Sequence, residues 1–212
     1  MNIKLKNNVY NILNYLDEKS IEGDIVELGV YKGELTKIVG MYLLEINSNR
    51  VYHGFDTFSG YMSEDIETQP VSNNKAGLIE NQNCGRWNIN SDSVIEDINN
   101  SGFSNVCKIY VGDLKIEFKK SIESKKIKKI ACLIVDCNAY LPSYVGMNLA
   151  YEVMDDESVI IIDEHTPGGE SMALEEFCKN KKLPIQDTGI LKENYKDGPS
   201  KFCIIKKRES VD

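Results

Sequence analysis

At 212 residues the chain is long enough for one domain with a substantial core. Its 25 basic against 33 acidic residues give a net charge of −8 and a pI near 5.0, which argues against nucleic acid as a default partner, because phosphate binding needs a basic field. A hydrophobic share of 42% with 27% charged residues excludes a disordered or collagen-like chain, and no apolar run approaches the roughly 18 residues of a membrane span. Residues 1–20 hold lysines but no apolar core or small-residue cleavage site, so no secretory signal is expected there.

Val9, Ile12, Leu13 and Leu16 recur at helical spacing, predicting an N-terminal helix over residues 5–20. The run Asp24-Ile-Val-Glu-Leu-Gly29 reads as a buried strand ending in a turn. Leu35, Ile38, Val39, Tyr42, Leu43 and Ile46 then mark a helix, and Val51–Asp56 a second strand. Val94, Ile95 and Ile98 predict a helix, Val106–Val111 a strand, and Ile130–Val135 a strand covered on both faces. Tyr144–Met154 reads as helix, Ser158–Asp163 as strand and Glu170–Lys181 as helix; two last strands are expected near Leu183–Asp187 and Lys201–Lys206. Such alternation predicts an α/β fold: a doubly wound, mostly parallel sheet with helices on both faces.

Residues 59–91 break this rhythm. They are polar and Asn-rich, with Pro70, Gly77 and Gly85 as breakers, and read as a lid-like insertion or a surface loop. The lone Trp87 favours a segment that packs on something. Lys119, Lys120, Lys125, Lys126, Lys128 and Lys129 read as a solvated helix and turn, or as an anion-binding patch. The six cysteines form no C-x-x-C pair, and zinc spacing is absent. Cys132 and Cys203 lie in apolar runs, as buried free thiols do, so reduced thiols and a cytoplasmic setting are expected.

Ligands of open α/β sheets bind beyond the carboxyl ends of the strands. The first such end carries Glu27-Leu-Gly29-Val-Tyr31-Lys-Gly33, where glycine lets the backbone approach a ligand and the next helix offers free N–H groups. The spacing E-x-G-x-x-x-G lacks a glycine of the dinucleotide fingerprint and matches motif I of class I S-adenosylmethionine methyltransferases. Asp56 and Thr57 follow the second strand, where a carboxylate can accept ribose hydroxyls. Gly112 and Asp113 follow the third; each aspartate also suits a helix N-cap. Asp136 and Asn138 close the fourth strand, and Asp163, Glu164 and His165 the fifth. Adjacent strand ends lie about 5 Å apart, so these oxygens can converge on a hard cation such as Mg²⁺, or alternatively cap helices and line a solvated rim.

The stretches Gly23-Asp-Ile-Val-Glu-Leu-Gly29, Gly54-Phe-Asp-Thr-Phe-Ser-Gly60, Asp136-Cys-Asn-Ala-Tyr140 and Ile160-Ile-Ile-Asp-Glu-His165, in that order, resemble the macrocin O-methyltransferase family. The likeness spans roughly residues 20–180. It implies a class I, Rossmann-like methyltransferase with a lid, binding S-adenosylmethionine and methylating a sugar hydroxyl of a natural product with Mg²⁺, as a dimer or larger oligomer. Carried over by position, Glu27, Gly29, Tyr31 and Gly33 would line the methionine end, Asp56 and Thr57 the ribose, and Gly112 and Asp113 the adenine. Asp136, Asp163 and Glu164 would bind metal, with Asp136 or His165 as general base. Asn138 stands where the family pattern has a second aspartate, removing one negative charge from the donor set. Two alternatives share this fold: a metal-independent methyltransferase using His165, and a non-catalytic cofactor-binding relative.

Overall fold

The computed structural model describes residues 3–68, 84–162, 168–187 and 201–205. In chain order the elements are α1 (Ile3–Glu18), β1 (Asp24–Leu28), α2 (Glu34–Glu45), β2 (Tyr52–Asp56), α3 (Ser63–Glu67), α4 (Ser91–Asn100) and β3 (Cys107–Val111). They continue with α5 (Leu114–Glu123), β4 (Ile130–Val135), α6 (Tyr140–Tyr151), β5 (Met154–Ile162), α7 (Gly169–Lys181), β6 (Gln186–Asp187) and β7 (Lys201–Ile204). The described strands form one sheet in the order β3-β2-β1-β4-β5-β7-β6, parallel from β3 to β5 and antiparallel at β7 and β6.

Two apolar layers explain why β1, β4 and the second half of β5 are near-continuous hydrophobic runs. Ile25, Tyr52, Cys107, Ile134 and Ile161 face α1, α2 and α4, burying Leu13, Leu16, Ile38, Val39, Leu43 and Ile98. Val26, Leu28, Phe55, Leu133, Val135 and Ile160 face α5, α6 and α7, burying Phe118, Met147, Leu174 and Phe177. The doubly wound arrangement read from the sequence is therefore the observed one.

The structure moves several boundaries. Helix α6 starts at Tyr140 rather than Tyr144, because Pro142 sits in its first turn, where a missing N–H costs nothing. Strand β5 starts at Met154, and its register jumps between Ile130↔Met154 and Cys132↔Val159, so polar residues 155–157 bulge out of the ladder. Glu157 at the bulge has φ 67 and accepts a hydrogen bond from Tyr15 of α1. Strand β6 is two residues long, shorter than expected. Helix α3 stands inside the expected insertion, whose residues 69–83 lie outside the described residues.

The lysine cluster lies on α5 and the turn after it. Lys120 pairs with Glu117 at 2.7 Å, Lys119 with Glu123 at 3.8 Å, and Lys129 with Glu22 and Asp155 at 3.2 and 3.0 Å, matching the solvated reading. His53 is buried, with its ring nitrogens 3.2 Å from Asp24 and 3.1 Å from the Tyr110 hydroxyl. Cys107, Cys132, Cys178 and Cys203 are buried free thiols; burial pushes those of Cys107 and Cys132 up to about 12.

Phe55 sits between Tyr110, stacked at 4.5 Å, and Phe118 at 5.2 Å, beneath the end of β2. Phe55→Ala is expected to lower the unfolding free energy by about 3–5 kcal/mol, read as a fall in the urea midpoint at unchanged slope. A loss under about 1 kcal/mol would show that this stack contributes little.

Candidate active site

Strand order reverses direction between β1 and β4, and the chain opens a cleft at that switch point. Two backbone segments meet there. The Asp136 N–H donates to the Leu28 carbonyl at 2.8 Å, and Gly29 lies directly against Asp136. A Cβ built on Gly29 would overlap the Asp136 carbonyl oxygen, and Gly29 has φ 97, so only glycine fits.

The cleft beyond has a volume of about 270 Å³, close to the small end of the range for ligand pockets. Strand ends supply one wall: Gly29 and Tyr31 after β1, Asp56 and Thr57 after β2, Asp113 and Leu114 after β3, and Asp136 to Ala139 after β4. The insertion supplies the other wall through Gly60, Tyr61, Asp65, Arg86 and Trp87.

Asp56 organises the floor. Its Oδ2 accepts from the N–H groups of Val30 and Tyr31, both at 2.8 Å, and its Oδ1 from Phe58 N–H at 2.7 Å. A carboxylate has about four acceptor positions, so roughly one remains for a ligand hydroxyl. Thr57 Oγ1 donates to the Gly60 carbonyl at 3.0 Å, shaping the turn into the insertion.

Asp113 stands at the N-terminus of α5, as its N-cap reading expects. It caps α5 by accepting from Lys115 N–H at 2.9 Å, and it also lines the cleft. Lys115 Nζ lies 2.9 Å from Asp65 and 3.4 Å from Asp113, tying α3 of the insertion to the end of β3. Those carboxylates hold the Lys115 ammonium above its ordinary pKa against the opposing effect of burial.

Three expected ligand contacts lie away from the cleft surface. Glu27 is 1% exposed, and its place on β1 with Ile25 turns it toward the α2 face of the sheet. Gly33, with φ 71, is the N-cap of α2 and packs on Val94 and Ile98 of α4. Gly112, with φ 141, donates its N–H to the Asp56 carbonyl at 2.9 Å. All three shape the backbone around the cleft. Asp163, Glu164 and His165 lie outside the described residues. Among the described residues, no group of three or more His, Cys, Asp or Glu side chains is placed to hold a metal ion.

The roles of Glu170 and Cys137 beside the cleft carried no clear sequence signal. Glu170, fully buried in the first turn of α7, accepts the N–H of Asn138, which has φ 53 and lines the cleft. Cys137 beside it is kept as a neutral thiol by burial, with the Glu170 charge adding to the upward shift. Tyr31 and Trp87 meet edge to face at 5.6 Å across the rim.

A family model described as Macrocin-O-methyltransferase (TylF) matches residues 4–190. The solved structure of the O-methyltransferase NovP aligns over 97% of this chain and 81% of its own, with 16% identity and a TM-score of 0.77. The calicheamicin methyltransferase CalS11 aligns over 94% and 77%, with 16% identity and a TM-score of 0.71. A putative rRNA-methylase from Clostridium thermocellum covers 99% and 100%, with 14% identity and a TM-score of 0.56. At such identities the likeness to solved structures is one of fold. No curated protein matches the sequence.

Asp56→Ala removes the acceptor of three loop N–H groups at once. It is expected to cost about 2–4 kcal/mol of stability, with Asp56→Asn costing less because one oxygen remains. Urea unfolding of both variants measures this; equal stability of wild type and Asp56→Ala would show that the loop holds without its carboxylate.

Proposed function

The chain belongs to the macrocin O-methyltransferase (TylF) family and is an S-adenosylmethionine-dependent O-methyltransferase; from that premise we propose that the switch-point cleft binds the cofactor and delivers its methyl group to a hydroxyl of a sugar or similar small natural-product acceptor. The observation that carries this reading is the close approach of Gly29 to Asp136, which sets the cofactor loop beside a carboxylate at the next strand end. The site fits the cofactor on its own chemistry: a backbone cradle without a side chain at Gly29, carboxylates at Asp56 and Asp113, and an apolar face at Leu114.

Bound there, the sulfonium supplies a methyl group with a good leaving group already attached. The protein's remaining tasks are alignment, exclusion of water and proton removal. Gly29 and Tyr31 hold the methionine end, and Asp56 takes a ribose hydroxyl at its remaining acceptor position. Asp113 and Leu114 flank the adenine. Glu27, Gly33 and Gly112 act behind the cleft, keeping these turns in place. Asp136 accepts the proton of the acceptor hydroxyl, with His165 as the alternative base. Tyr61, Arg86 and Trp87 close the outer wall against water.

A magnesium ion is part of this proposal. Val135 pairs with Ile162, so β4 and β5 end in register with one another. Asp136, with Asp163 and Glu164 from beyond the described residues, would supply the hard oxygen donors that Mg²⁺ takes, and the ion would lower the pKa of a vicinal acceptor hydroxyl. The chain acts as one domain, residues 1–212, with a lid-like insertion at about 59–91, as a cytoplasmic homo-oligomer on small molecules rather than nucleic acid. No described helix is long and apolar enough to cross a membrane.

Calorimetry with S-adenosylhomocysteine is the direct test, and absence of binding at high micromolar ligand would sink the cofactor assignment. Asp136→Asn is expected to keep that binding while methyl transfer to a panel of hydroxylated sugars falls about 100-fold or more. EDTA should abolish transfer and Mg²⁺ restore it; activity indifferent to EDTA would instead favour His165 acting without metal.

A further inference from the structure

The outer wall of the cleft is a built surface. Tyr61 N–H donates to the Arg86 carbonyl at 3.2 Å, Gly85 N–H to the Tyr61 carbonyl at 2.9 Å, and Ile89 N–H to the Phe58 carbonyl at 2.9 Å. Gly60, with φ 79, lies so close to the Arg86 carbonyl that a Cβ would overlap it. Residues 58–61 and 85–89 are thus laced together, and they set Arg86 and Trp87 on the cleft rim.

Two of the aromatic residues at this cleft have backbones that bulky side chains rarely adopt. Tyr31 has φ 48 and Trp87 has φ 69. Left-handed backbone at a large non-glycine residue costs of order 1 kcal/mol or more, and it concentrates at ligand clamps. The rings nevertheless remain accessible, at 38% and 48% exposure, so burial does not offset that cost. Arg86 lies over the Trp87 ring at 5.1 Å.

Charge narrows the occupant. Four described aspartates line the cleft (Asp56, Asp65, Asp113 and Asp136), and Arg86 is the one basic residue among the described lining residues. Asp65 and Asp113 are matched by Lys115, and Asp56 by loop N–H groups. Among the described residues no carboxylate pairs with Arg86, whose guanidinium is a planar fork of donors matched to an anion. It also arrives from the insertion, opposite the strand ends assigned above to the cofactor.

We propose that Arg86 and Trp87 select an anionic sugar as acceptor: the ring packs on the Trp87 face, and a phosphate or carboxylate of the same molecule pairs with Arg86. This rests on the cofactor reading above, because it assigns the opposite wall to the acceptor.

Trp87 is the chain's single tryptophan, so its fluorescence reports from this rim alone. Protein saturated with S-adenosylhomocysteine is titrated with UDP-glucose as the phosphate source, glucuronate as the carboxylate source and methyl glucoside as the neutral control. At least one anionic probe should change the emission, bind about tenfold more weakly to Arg86→Met and weaken in 0.5 M salt, while methyl glucoside has little effect. Which anion responds identifies the source of the charge. Trp87→Gly keeps a residue suited to the left-handed backbone while deleting the ring. It should retain its melting temperature and bind the responding probe about tenfold more weakly by calorimetry.

Equal binding of charged and neutral probes, no response to any of the three, or unchanged affinity in Arg86→Met would each overturn the proposal. So would an Arg86→Met variant that loses S-adenosylhomocysteine affinity alone, since Arg86 would then serve the cofactor's carboxylate. A charge-dependent probe response in wild-type protein that binds no S-adenosylhomocysteine would reject the cofactor reading and leave the anion site standing.

Discussion

Everything at the cleft depends on how closely two strands can approach one another as they leave the sheet. Strands β1 and β4 are neighbours whose connections run in opposite directions, and their ends would normally be kept apart by side chains. Here Gly29 removes that obstacle and takes φ 97, so its backbone lies against Asp136. A side chain at this position would push the β1 turn away from β4. It would also disturb the Val30 and Tyr31 N–H groups that Asp56 receives, and with them the turn leading into the insertion. One missing methyl group thus sets the spacing of three strand ends.

The acidic character of the chain acquires a structural meaning at the same place. Carboxylates around such a cleft are usually read as waiting for ligands, yet here three of the described ones are already committed to the protein. Asp56 receives three loop N–H groups, Asp113 caps α5, and Asp65 is nearly buried against Lys115. Each bond orders a segment that would otherwise sample many conformations in solution. These bonds tie the rim together before anything enters it, which favours alignment in a reaction whose main demand is geometry.

How much of this is legible in sequence follows from the range of the forces involved. Strand β4 was readable because burial on both faces demands an unbroken apolar run, here of six residues, while β1 and β2 were readable as short stretches between helical patterns. Gly29, Asp56, Asp113 and Asp136 were readable as cleft-lining residues because each follows the carboxyl end of a strand. The start of β5 was not, because residues 155–157 bulge from the ladder and look like a turn. The start of α6 was obscured by Pro142, harmless only because it falls in the first turn. Partners distant in the chain left no trace: Lys115 meets Asp65 fifty residues away, and Glu170 meets Asn138 thirty-two away. Glu27 carries a motif signal in sequence, but its burial at 1% exposure comes from strand alternation and sheet packing that the motif does not show. The left-handed backbone of Trp87 has no compositional signature, since nothing but tertiary packing imposes it.

Strand β7 carries a consequence for the order in which the molecule is made. The described cleft residues run from Gly29 to Pro142, so the ribosome has delivered them all well before residues 201–205. Yet Cys203 and Ile205 are fully buried, and β7 is the strand that covers the outer edge of β5 by antiparallel pairing. During synthesis the parallel half of the sheet can assemble around the cleft while the edge of β5 stays bare. The nascent chain thus carries its ligand-facing half before its hydrophobic core is closed, and an aggregation-prone edge persists until the final strand arrives.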